Sequence, residues 1–340
     1  MHYVNKFNVA VVGATGMVGR KMLQVLEERK FPVGELYPFA SPKSAGKVIK
    51  FRGRNYKVLP LTPANIEARK IDLALFSAGA DVSDRFAPIF AERKIVVVDN
   101  SSRWRTDPEV PLVVPEVNAE KIADHNYIIA NPNCSTIQAV VALAPIHKHY
   151  GLKRVVYTTF QAVSGAGMGG YEDLENGVKG MAPKKFPKPI FGNCLPHIDK
   201  FLPDGYTKEE EKMIFETKKI LGLPNLKVTA TCVRVPVYYG HSESINIETE
   251  IPAAPEKVRF FLGGSPSIKI VDSPEKGLYP TPLDCANRDE VFVGRIRADE
   301  SVPNGLNMWV VADNIRKGAA TNAVQIAEIL VKNKKLLSKE

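Results

Sequence analysis

The feature that most constrains the fold is an alternation of short apolar segments with helical segments in the first part of the chain. Residues 7–12, 71–76, 95–99 and 127–130 form nearly continuous apolar runs, and apolar residues recur at helical spacing after two of them. Such continuous runs are typical of strands that are buried on both faces. Strands that alternate with helices predict a doubly wound parallel sheet, whose ligands bind outside the carboxyl ends of the strands.

A glycine-rich turn follows the first of these strands directly. Gly13, Gly16 and Gly19 have the spacing GxxGxxG, and helical spacing begins at Met22. Glycines at such a turn let the backbone approach a pyrophosphate, which then lies on the helix N-terminus. The spacing is a variant of the usual dinucleotide fingerprint, so a plain tight turn is the alternative. The position between a strand and a helix favours the dinucleotide.

The end of the second predicted strand, residues 34–40, indicates which dinucleotide binds. NAD-binding proteins usually carry an acidic residue there, which binds the ribose 2′-hydroxyl. Ser41, Lys43 and Ser44 follow instead, with no carboxylate among residues 41–46. Because these side chains offer donors and positive charge to a 2′-phosphate, the sequence predicts NADP rather than NAD.

A cysteine follows the last strand of the predicted sheet. Residues 127–130 lead into Pro132 and Asn133, and Cys134 then opens a helical segment. Asn133 is a favoured N-cap type, which places Cys134 beside the positive end of the helix dipole and favours its thiolate form. The alternative is an inert buried cysteine. A position at the ligand edge of a cofactor-binding sheet favours a reactive one.

Three further residues lie at strand ends or on strand faces. Arg103 follows the strand at residues 95–99, where it is a reasonable anion ligand or an ordinary surface arginine. Arg234 shares a strand face with small and apolar residues, so it needs a partner, which is either a substrate carboxylate or a structural acid. His241 begins a strand and could carry protons at neutral pH, although a single histidine is more often structural.

The second half of the chain indicates another kind of sheet. Strands expected near residues 226–237, 242–251, 268–271 and 291–297 look antiparallel and predict an open mixed sheet. Residues 162–170 contain too much glycine for a regular element. On an acid-rich helix, Glu209 and Lys212 are three residues apart, and composition predicts an ordinary surface pair. A helix at 318–332 is expected to pack onto the first domain.

Composition and charge narrow the class of function. The net charge is +9, but Lys and Arg are spread along the chain, which favours a small anionic ligand over nucleic acid. The six histidines are dispersed and give little support to a metal site. The four cysteines are scattered, with neither CxxC spacing nor a disulfide framework, which favours a reducing cytoplasm. No apolar run is long enough to span a membrane, and residues 1–6 lack the apolar core of a signal peptide.

Seven segments together resemble aspartate-semialdehyde dehydrogenases over essentially the full length of the chain. They are residues 13–19 (GATGMVG), 99–105 (DNSSRWR), 131–134 (NPNC), 160–165 (FQAVSG), 232–236 (CVRVP), 240–242 (GHS) and 313–319 (DNIRKGA). The resemblance implies an α/β protein of the glyceraldehyde-3-phosphate dehydrogenase-like kind, with an N-terminal Rossmann-type doubly wound parallel sheet. A second α+β domain would carry a mixed, largely antiparallel sheet. The implied NADP-binding domain covers residues 1–133, completed by a helix at 315–340, and the implied catalytic and dimerisation domain covers 134–314.

The activity implied by this resemblance is the reversible, NADPH-dependent reduction of 4-phospho-L-aspartate to L-aspartate 4-semialdehyde and phosphate. That step belongs to the biosynthesis of lysine (through diaminopimelate), threonine, methionine and isoleucine. The implied enzyme is a cytoplasmic homodimer that acts on a small molecule and needs no metal.

Roles carry over where positions match the family's motifs. Cys134 resembles the nucleophile that forms an acyl-thioester, and His241 resembles its acid/base partner. The implied substrate and phosphate contacts are Arg103, Asn133, Gln161, Glu209, Lys212 and Arg234. Among them Gln161 orients the substrate, Arg234 pairs with its α-carboxylate, and Glu209 pairs with its ammonium group. Arg103 and Lys212 resemble phosphate ligands, which replaces the surface-pair interpretation of Glu209 and Lys212.

The implied cofactor contacts come from both halves of the chain. They are Gly13, Thr15, Gly16, Met17, Val18, Ser41, Lys43, Ser44, Ser164, Gly165 and Asn314. At position 43 the family often carries arginine. Lysine keeps the positive charge there but lacks the planar fork of a guanidinium.

Three alternatives stay open from the sequence. N-acetyl-γ-glutamyl-phosphate reductase has similar chemistry, but its substrate has no free amine to pair with Glu209. A cysteine hydrolase could also use Cys134 and His241, although the glycine turn at residues 13–19 argues against it. A non-enzymatic NADP-binding protein would not need Cys134 together with Arg103 and His241.

Overall fold

The computed structural model describes residues 6–338 of the 340-residue chain. Residues 1–5, where no secretory signal is expected, lie outside the described part. The strands are β1 (Phe7–Val12), β2 (Val33–Ala40), β3 (Val48–Phe51), β4 (Arg54–Lys57), β5 (Leu59–Pro60), β6 (Leu73–Phe76), β7 (Val96–Asp99), β8 (Ile128–Ala130), β9 (Leu152–Gln161), β10 (Lys227–Arg234), β11 (His241–Thr249), β12 (Ile268–Ile270), β13 (Val291–Asp299) and β14 (Gly305–Ala312).

Eleven α-helices are described among these residues. They are α1 (Met17–Glu28), α2 (Pro63–Glu67), α3 (Ala80–Glu92), α4 (Pro115–Asn118), α5 (Cys134–Tyr150), α6 (Met168–Val178), α7 (Lys208–Leu221), α8 (Pro255–Gly263), α9 (Pro282–Cys285), α10 (Asn322–Lys332) and α11 (Lys334–Ser338). The chain divides into two compact units, Met1–Pro132 with Ala319–Glu340, and Asn133–Gly318. None of the described helices is long and apolar enough to cross a membrane.

The first unit is built on a six-stranded sheet in the order β5-β2-β1-β6-β7-β8. All five pairings are parallel, as the continuous apolar runs predict. Helix α10 contributes Ala323, Ile326 and Leu330 to the same apolar core as Val9 and Leu23. Helix α10 therefore packs on the first sheet, in agreement with its predicted core-facing stripe.

The second unit is built on another six-stranded sheet, in the order β10-β9-β11-β14-β13-β12. Three of its five pairings are antiparallel, whereas β9 with β10 and β12 with β13 pair in parallel. The predicted α/β fold with a parallel sheet and a second mixed sheet is thus confirmed. The antiparallel expectation is wrong for two pairings, because β12 is parallel to β13 and β10 is parallel to β9.

One face of the second sheet is covered by α5, α7 and α8. Alternation along β9 shows this directly, since Val155, Tyr157, Thr159 and Gln161 are buried while the residues between them are half-buried. The acid-rich helix α7 also belongs to this layer. Its start carries a capping box between Thr207 and Glu210, and Gly222 ends it in a left-handed conformation, as its sequence predicts.

The glycine-rich region at residues 162–170 differs from its prediction. A 3-10 turn at Val163–Ala166 comes first, and α6 then begins at Met168. Glycines lower helix propensity, but tertiary packing overrides it here. Leu174 is buried in a small apolar cluster, and Asp173 accepts three backbone N–H groups from residues 184–186, each at 2.8 Å.

Candidate active site

The start of α5 presents Cys134. Asn133 is the N-cap, and its side-chain Oδ1 accepts the N–H groups of Ser135 at 2.9 Å and Thr136 at 3.3 Å. Cys134 is half-buried at the first helical position, where the positive end of the helix dipole favours a thiolate. A Cβ on Gly318 would lie 2.9 Å from the Cβ of Cys134. Glycine at 318 therefore leaves room for the cysteine backbone.

A buried carboxylate, Glu209, lies beside this helix start. Its Oε1 accepts hydrogen bonds from Asn133 Nδ2 at 2.9 Å and Gln161 Nε2 at 3.0 Å, and its Oε2 accepts one from Lys212 Nζ at 3.2 Å. Burial alone would raise the pKa of Glu209, but Lys212 and the two amides lower it to about 2. The surface-pair interpretation of Glu209 is wrong, because only 5% of the residue is exposed.

His241 is held in one orientation by the backbone. The N–H of Ala162 donates to Nδ1 at 3.0 Å, so Nδ1 is the unprotonated nitrogen and the neutral ring carries its proton on Nε2. Nε2 is buried and accepts or donates no hydrogen bond among the described residues. Burial, with a smaller contribution from the charge of Arg234, lowers the pKa of His241 to about 3.

Arg234 supplies the buried positive charge of this group. Its NH1 donates to the carbonyl oxygen of Ala162 at 2.7 Å, and burial lowers its pKa while the charge of Glu209 opposes that shift. The sulfur of Cys134 lies within electrostatic reach of the same guanidinium. A Cβ on Gly165 would lie 2.8 Å from Arg234 NH1 and 3.2 Å from His241 Nε2. Glycine at 165 thus keeps the space beside both groups open.

Asn314 fixes two loops around His241. Its Oδ1 accepts the N–H of Gly240 at 3.0 Å, and its Nδ2 donates to Ser164 Oγ at 3.1 Å. Ser164 and Asn314 are both buried. In the second unit the structure therefore groups every site residue that the sequence predicts there, which are Asn133, Cys134, Gln161, Ser164, Gly165, Glu209, Lys212, Arg234, His241 and Asn314.

The first unit carries the predicted dinucleotide turn. Gly13 has a φ of +85°, which favours glycine, and a Cβ on Gly19 would lie 2.2 Å from the carbonyl oxygen of Gly13. Gly16 is the N-cap of α1 and, having no side chain, makes no side-chain cap hydrogen bond to that helix. The turn therefore leaves a helix N-terminus with backbone N–H groups for an anion. Thr15, Met17 and Val18 are partly exposed around it.

The end of β2 lies next to this turn. The N–H groups of Gly13 and Ala14 both donate to the carbonyl oxygen of Phe39, at 2.9 and 3.1 Å. A short 3-10 turn at Pro42–Ser44 follows, in which Lys43 is exposed and Ser44 is half-buried, and Ser41 before it is exposed. The predicted 2′-phosphate ligands thus share one sheet edge with the glycine turn.

Arg103 lies in the loop after β7, also in the first unit. Its guanidinium stacks on Trp104, with its carbon 4.2 Å from the ring centroid, and pairs with the carboxylate of Asp84. Trp104 Nε1 donates to Ser83 Oγ at 2.9 Å, and that hydroxyl donates to the buried Asp99 at 2.7 Å. These hydrogen bonds fix the ring of Trp104, and the guanidinium of Arg103 lies against that ring.

Sequence reasoning missed several residues that support this site. Glu216, which is 1% exposed, accepts the backbone N–H of Asn133 at 2.6 Å. Thr159 Oγ1 donates to Gln161 Oε1 at 3.0 Å. A signal existed for Glu216, because it follows Glu209 by seven residues and so shares its helix face. Among the described residues, no three His, Cys, Asp or Glu side chains are grouped to hold a metal ion.

Comparison with known proteins gives one consistent result. Residues 8–125 match the semialdehyde dehydrogenase NAD binding domain, and residues 143–317 match the semialdehyde dehydrogenase dimerisation domain. The aspartate-semialdehyde dehydrogenase of Aquifex aeolicus is 58% identical over 335 residues, which cover 96% of this chain and 98% of that protein. The Bacillus subtilis enzyme of the same name is 47% identical over 339 residues, covering 96% and 97%.

Solved structures agree. A crystal structure of aspartate semialdehyde dehydrogenase II from Vibrio cholerae, complexed with ASA, has 48% identity and a TM-score of 0.92, covering 97% of this chain and 99% of that chain. A Candida albicans aspartate semialdehyde dehydrogenase with NADP has 28% identity and a TM-score of 0.77, covering 98% and 100%. The resemblance carried by the seven sequence segments is therefore confirmed, and the chain belongs to the aspartate-semialdehyde dehydrogenase family of oxidoreductases.

Proposed function

We propose that the chain catalyses the reversible NADPH-dependent conversion of 4-phospho-L-aspartate to L-aspartate 4-semialdehyde and phosphate, in the biosynthesis of lysine, threonine, methionine and isoleucine. The observation that carries the proposal is the grouping of Cys134, at the capped start of α5, with Glu209, Arg234 and His241. Cys134 would supply the nucleophile, and His241 an imidazole in a fixed orientation. Glu209 and Arg234 would supply a negative and a positive charge that match the ammonium and carboxylate groups of an amino acid.

The charges of the site match an amino-acid substrate. Arg234 would pair with the α-carboxylate. The ionised Glu209, whose Oε2 accepts a hydrogen bond from Lys212 Nζ, would also accept one from the α-ammonium group. Gln161 would orient the acyl group beside Cys134. N-acetyl-γ-glutamyl phosphate has no ammonium group, so it would leave the buried Glu209 carboxylate without its substrate partner.

The covalent step uses the thiolate of Cys134. Its sulfur attacks the acyl-phosphate carbon, a thioester forms, and the carbon–oxygen bond to phosphate breaks. Arg103 and Lys212 would offset the charge of the departing phosphate. NADPH, when bound, would supply a hydride to the thioester carbon. The resulting oxyanion would then re-form the carbonyl as the carbon–sulfur bond breaks, so that the aldehyde is released and Cys134 leaves as thiolate. His241 would donate a hydrogen bond from Nε2 to the carbonyl oxygen as it gains charge.

The residues of the first unit fit NADP. A turn with positive φ at Gly13 and an uncapped α1 suits a pyrophosphate, and Ser41, Lys43 and Ser44 suit a 2′-phosphate. Residues 1–133 with 315–340 would then form the NADP domain, and 134–314 the catalytic and dimerisation domain. The half-buried face of the second sheet, including Phe160 and Trp309, would form the homodimer contact. Four free cysteines favour a cytoplasmic enzyme.

The test is phosphate-dependent NADPH formation from L-aspartate 4-semialdehyde. We expect turnover with NADP, with kcat/KM lower for NAD, and little turnover of succinic semialdehyde or N-acetylglutamate semialdehyde. Preference for the acetylated substrate would identify the other acyl-phosphate reductase. A higher kcat/KM with NAD would refute the assignment of Lys43.

A further inference from the structure

We propose that Glu216 is a positioning residue for Cys134, an inference that rests on the proposed role of this cysteine as the nucleophile. Oε2 of Glu216 accepts the backbone N–H of Asn133 at 2.6 Å, and the residue is 1% exposed. Because Asn133 directly precedes Cys134 and the peptide between them is planar, the position of one backbone largely determines the position of the next.

Glu216 does not act as the cap of α5. The side chain of Asn133 itself accepts the N–H groups of Ser135 and Thr136. Glu216 instead accepts the backbone N–H of Asn133, the residue just before the helix. No carbonyl within the helix could accept this N–H. Its effect is therefore on where the helix begins and how Cys134 is presented.

Helix α7 holds Asn133 at two separate points. Glu209 accepts the side-chain Nδ2 at 2.9 Å, and Glu216, two turns further along the same face, accepts the backbone N–H. Together with the cap, these bonds engage the backbone N–H, Oδ1 and Nδ2 of Asn133. The substrate-binding acid and the positioning acid thus belong to one rigid helix, which links the substrate contact to the nucleophile.

Two conservative variants of Glu216 distinguish an effect of its position from an effect of its charge. Glu216→Gln keeps an acceptor oxygen at the same reach and removes the charge. Glu216→Asp keeps the charge and withdraws the oxygen by one methylene. If Glu216 acts by position, Gln is the better replacement; if it acts by charge on the thiolate, Asp is better.

The experiment measures kcat, KM for the semialdehyde, the melting temperature, and the rate of iodoacetamide alkylation of Cys134 by mass spectrometry of its peptide. We expect Glu216→Asp to lower kcat by about tenfold or more with little change in KM, and to change the alkylation rate. We expect Glu216→Gln to retain most of the wild-type kcat and most of the wild-type alkylation rate. Glu211→Ala, an exposed change on the same helix, should behave as wild type.

A purely structural role would lower the melting temperature of Glu216→Asp without changing kcat or alkylation well below that temperature, and this result would overturn the inference. A higher kcat in Glu216→Asp than in Glu216→Gln would also overturn it. Cys134→Ser separates this inference from the proposed function. If that variant keeps its activity, the proposed function fails; if it is inactive while both Glu216 variants match wild type, only the positioning role fails.

Discussion

The backbone N–H of Ala162 donates to Nδ1 of His241 at 3.0 Å. A backbone N–H donates but does not accept, so a proton on Nδ1 would break this bond and set two N–H groups against each other. Burial of the ring, with a smaller contribution from the charge of Arg234, lowers the pKa of His241 to about 3. The hydrogen bond from Ala162 acts in the same direction. The imidazole is neutral at physiological pH, with its proton on Nε2.

This lowered pKa predicts an acid-sensitive fold. The unfolded chain binds a proton at His241 near pH 6.5 and the folded chain only near pH 3, so the free energy of unfolding falls as the pH drops through this range. Relative to His241→Asn, the wild type should lose about 2 kcal/mol between pH 7 and pH 5. Urea unfolding at both pH values measures the difference. Equal losses in the two proteins would show that His241 is protonated in the folded state.

Gly165→Ala should impair substrate turnover. The new Cβ would lie 2.8 Å from Arg234 NH1 and 3.2 Å from His241 Nε2, so at least one of these groups must move. We expect kcat/KM for the semialdehyde to fall by about tenfold or more. Gly169→Ala is the matched control, because its Cβ would make only ordinary contacts with Lys185, at 3.5 Å or more. Similar kinetics in the two variants would refute the crowding argument.

Gly318→Ala should act on the proposed nucleophile itself, Cys134. Its Cβ would lie 2.9 Å from the Cβ and 3.3 Å from the Cα of Cys134, so the start of α5 must shift. Alkylation of Cys134 and kcat should both decrease, kcat by about tenfold or more. Gly263→Ala, whose nearest contact would be Ile270 at 3.7 Å, serves as the comparison. A wild-type alkylation rate in Gly318→Ala would mean that the helix start tolerates the methyl group.

Asp84→Asn should strengthen phosphate binding. Asp84 pairs with Arg103, so its carboxylate would compete with a phosphate for the guanidinium if Arg103 is the proposed phosphate ligand. Because the pair is exposed, its strength is modest, and we expect KM for phosphate to fall about two- to fivefold. Asp81→Asn makes the same charge change one turn earlier on α3 and should have a smaller effect. If both variants change KM equally, the effect comes from net charge rather than from release of Arg103.

Local sequence rules were sufficient for some parts of the site. Pro132 and Asn133 predicted the start of α5 and hence the position of Cys134, because capping depends on neighbouring residues. The glycine turn predicted the first strand-to-helix connection for the same reason. The apolar runs predicted parallel strands because burial on both faces leaves no polar alternation.

The contacts that support the start of α5 around Cys134 could not be predicted in this way. The composition of α7 is typical of an exposed helix, yet Glu209 and Glu216 are buried because Asn133 and Gln161 satisfy them from elements distant in sequence. Helical periodicity places acids on a face but does not identify their partners. Helix α6 was not predicted for the same reason. Its residue Asp173 accepts three backbone N–H groups from a loop later in the chain, and local sequence does not indicate such partners.

Formation of an acyl-enzyme at Cys134 is tested most directly by a measurement that omits the reductant. The enzyme is mixed with 4-phospho-L-aspartate in the absence of NADPH, and both released phosphate and the mass of the Cys134 peptide are followed. We predict a burst of one phosphate per subunit and one aspartyl group on Cys134, neither of which should occur in Cys134→Ser. Phosphate release without the adduct, or an unchanged burst in Cys134→Ser, would contradict covalent catalysis at this residue.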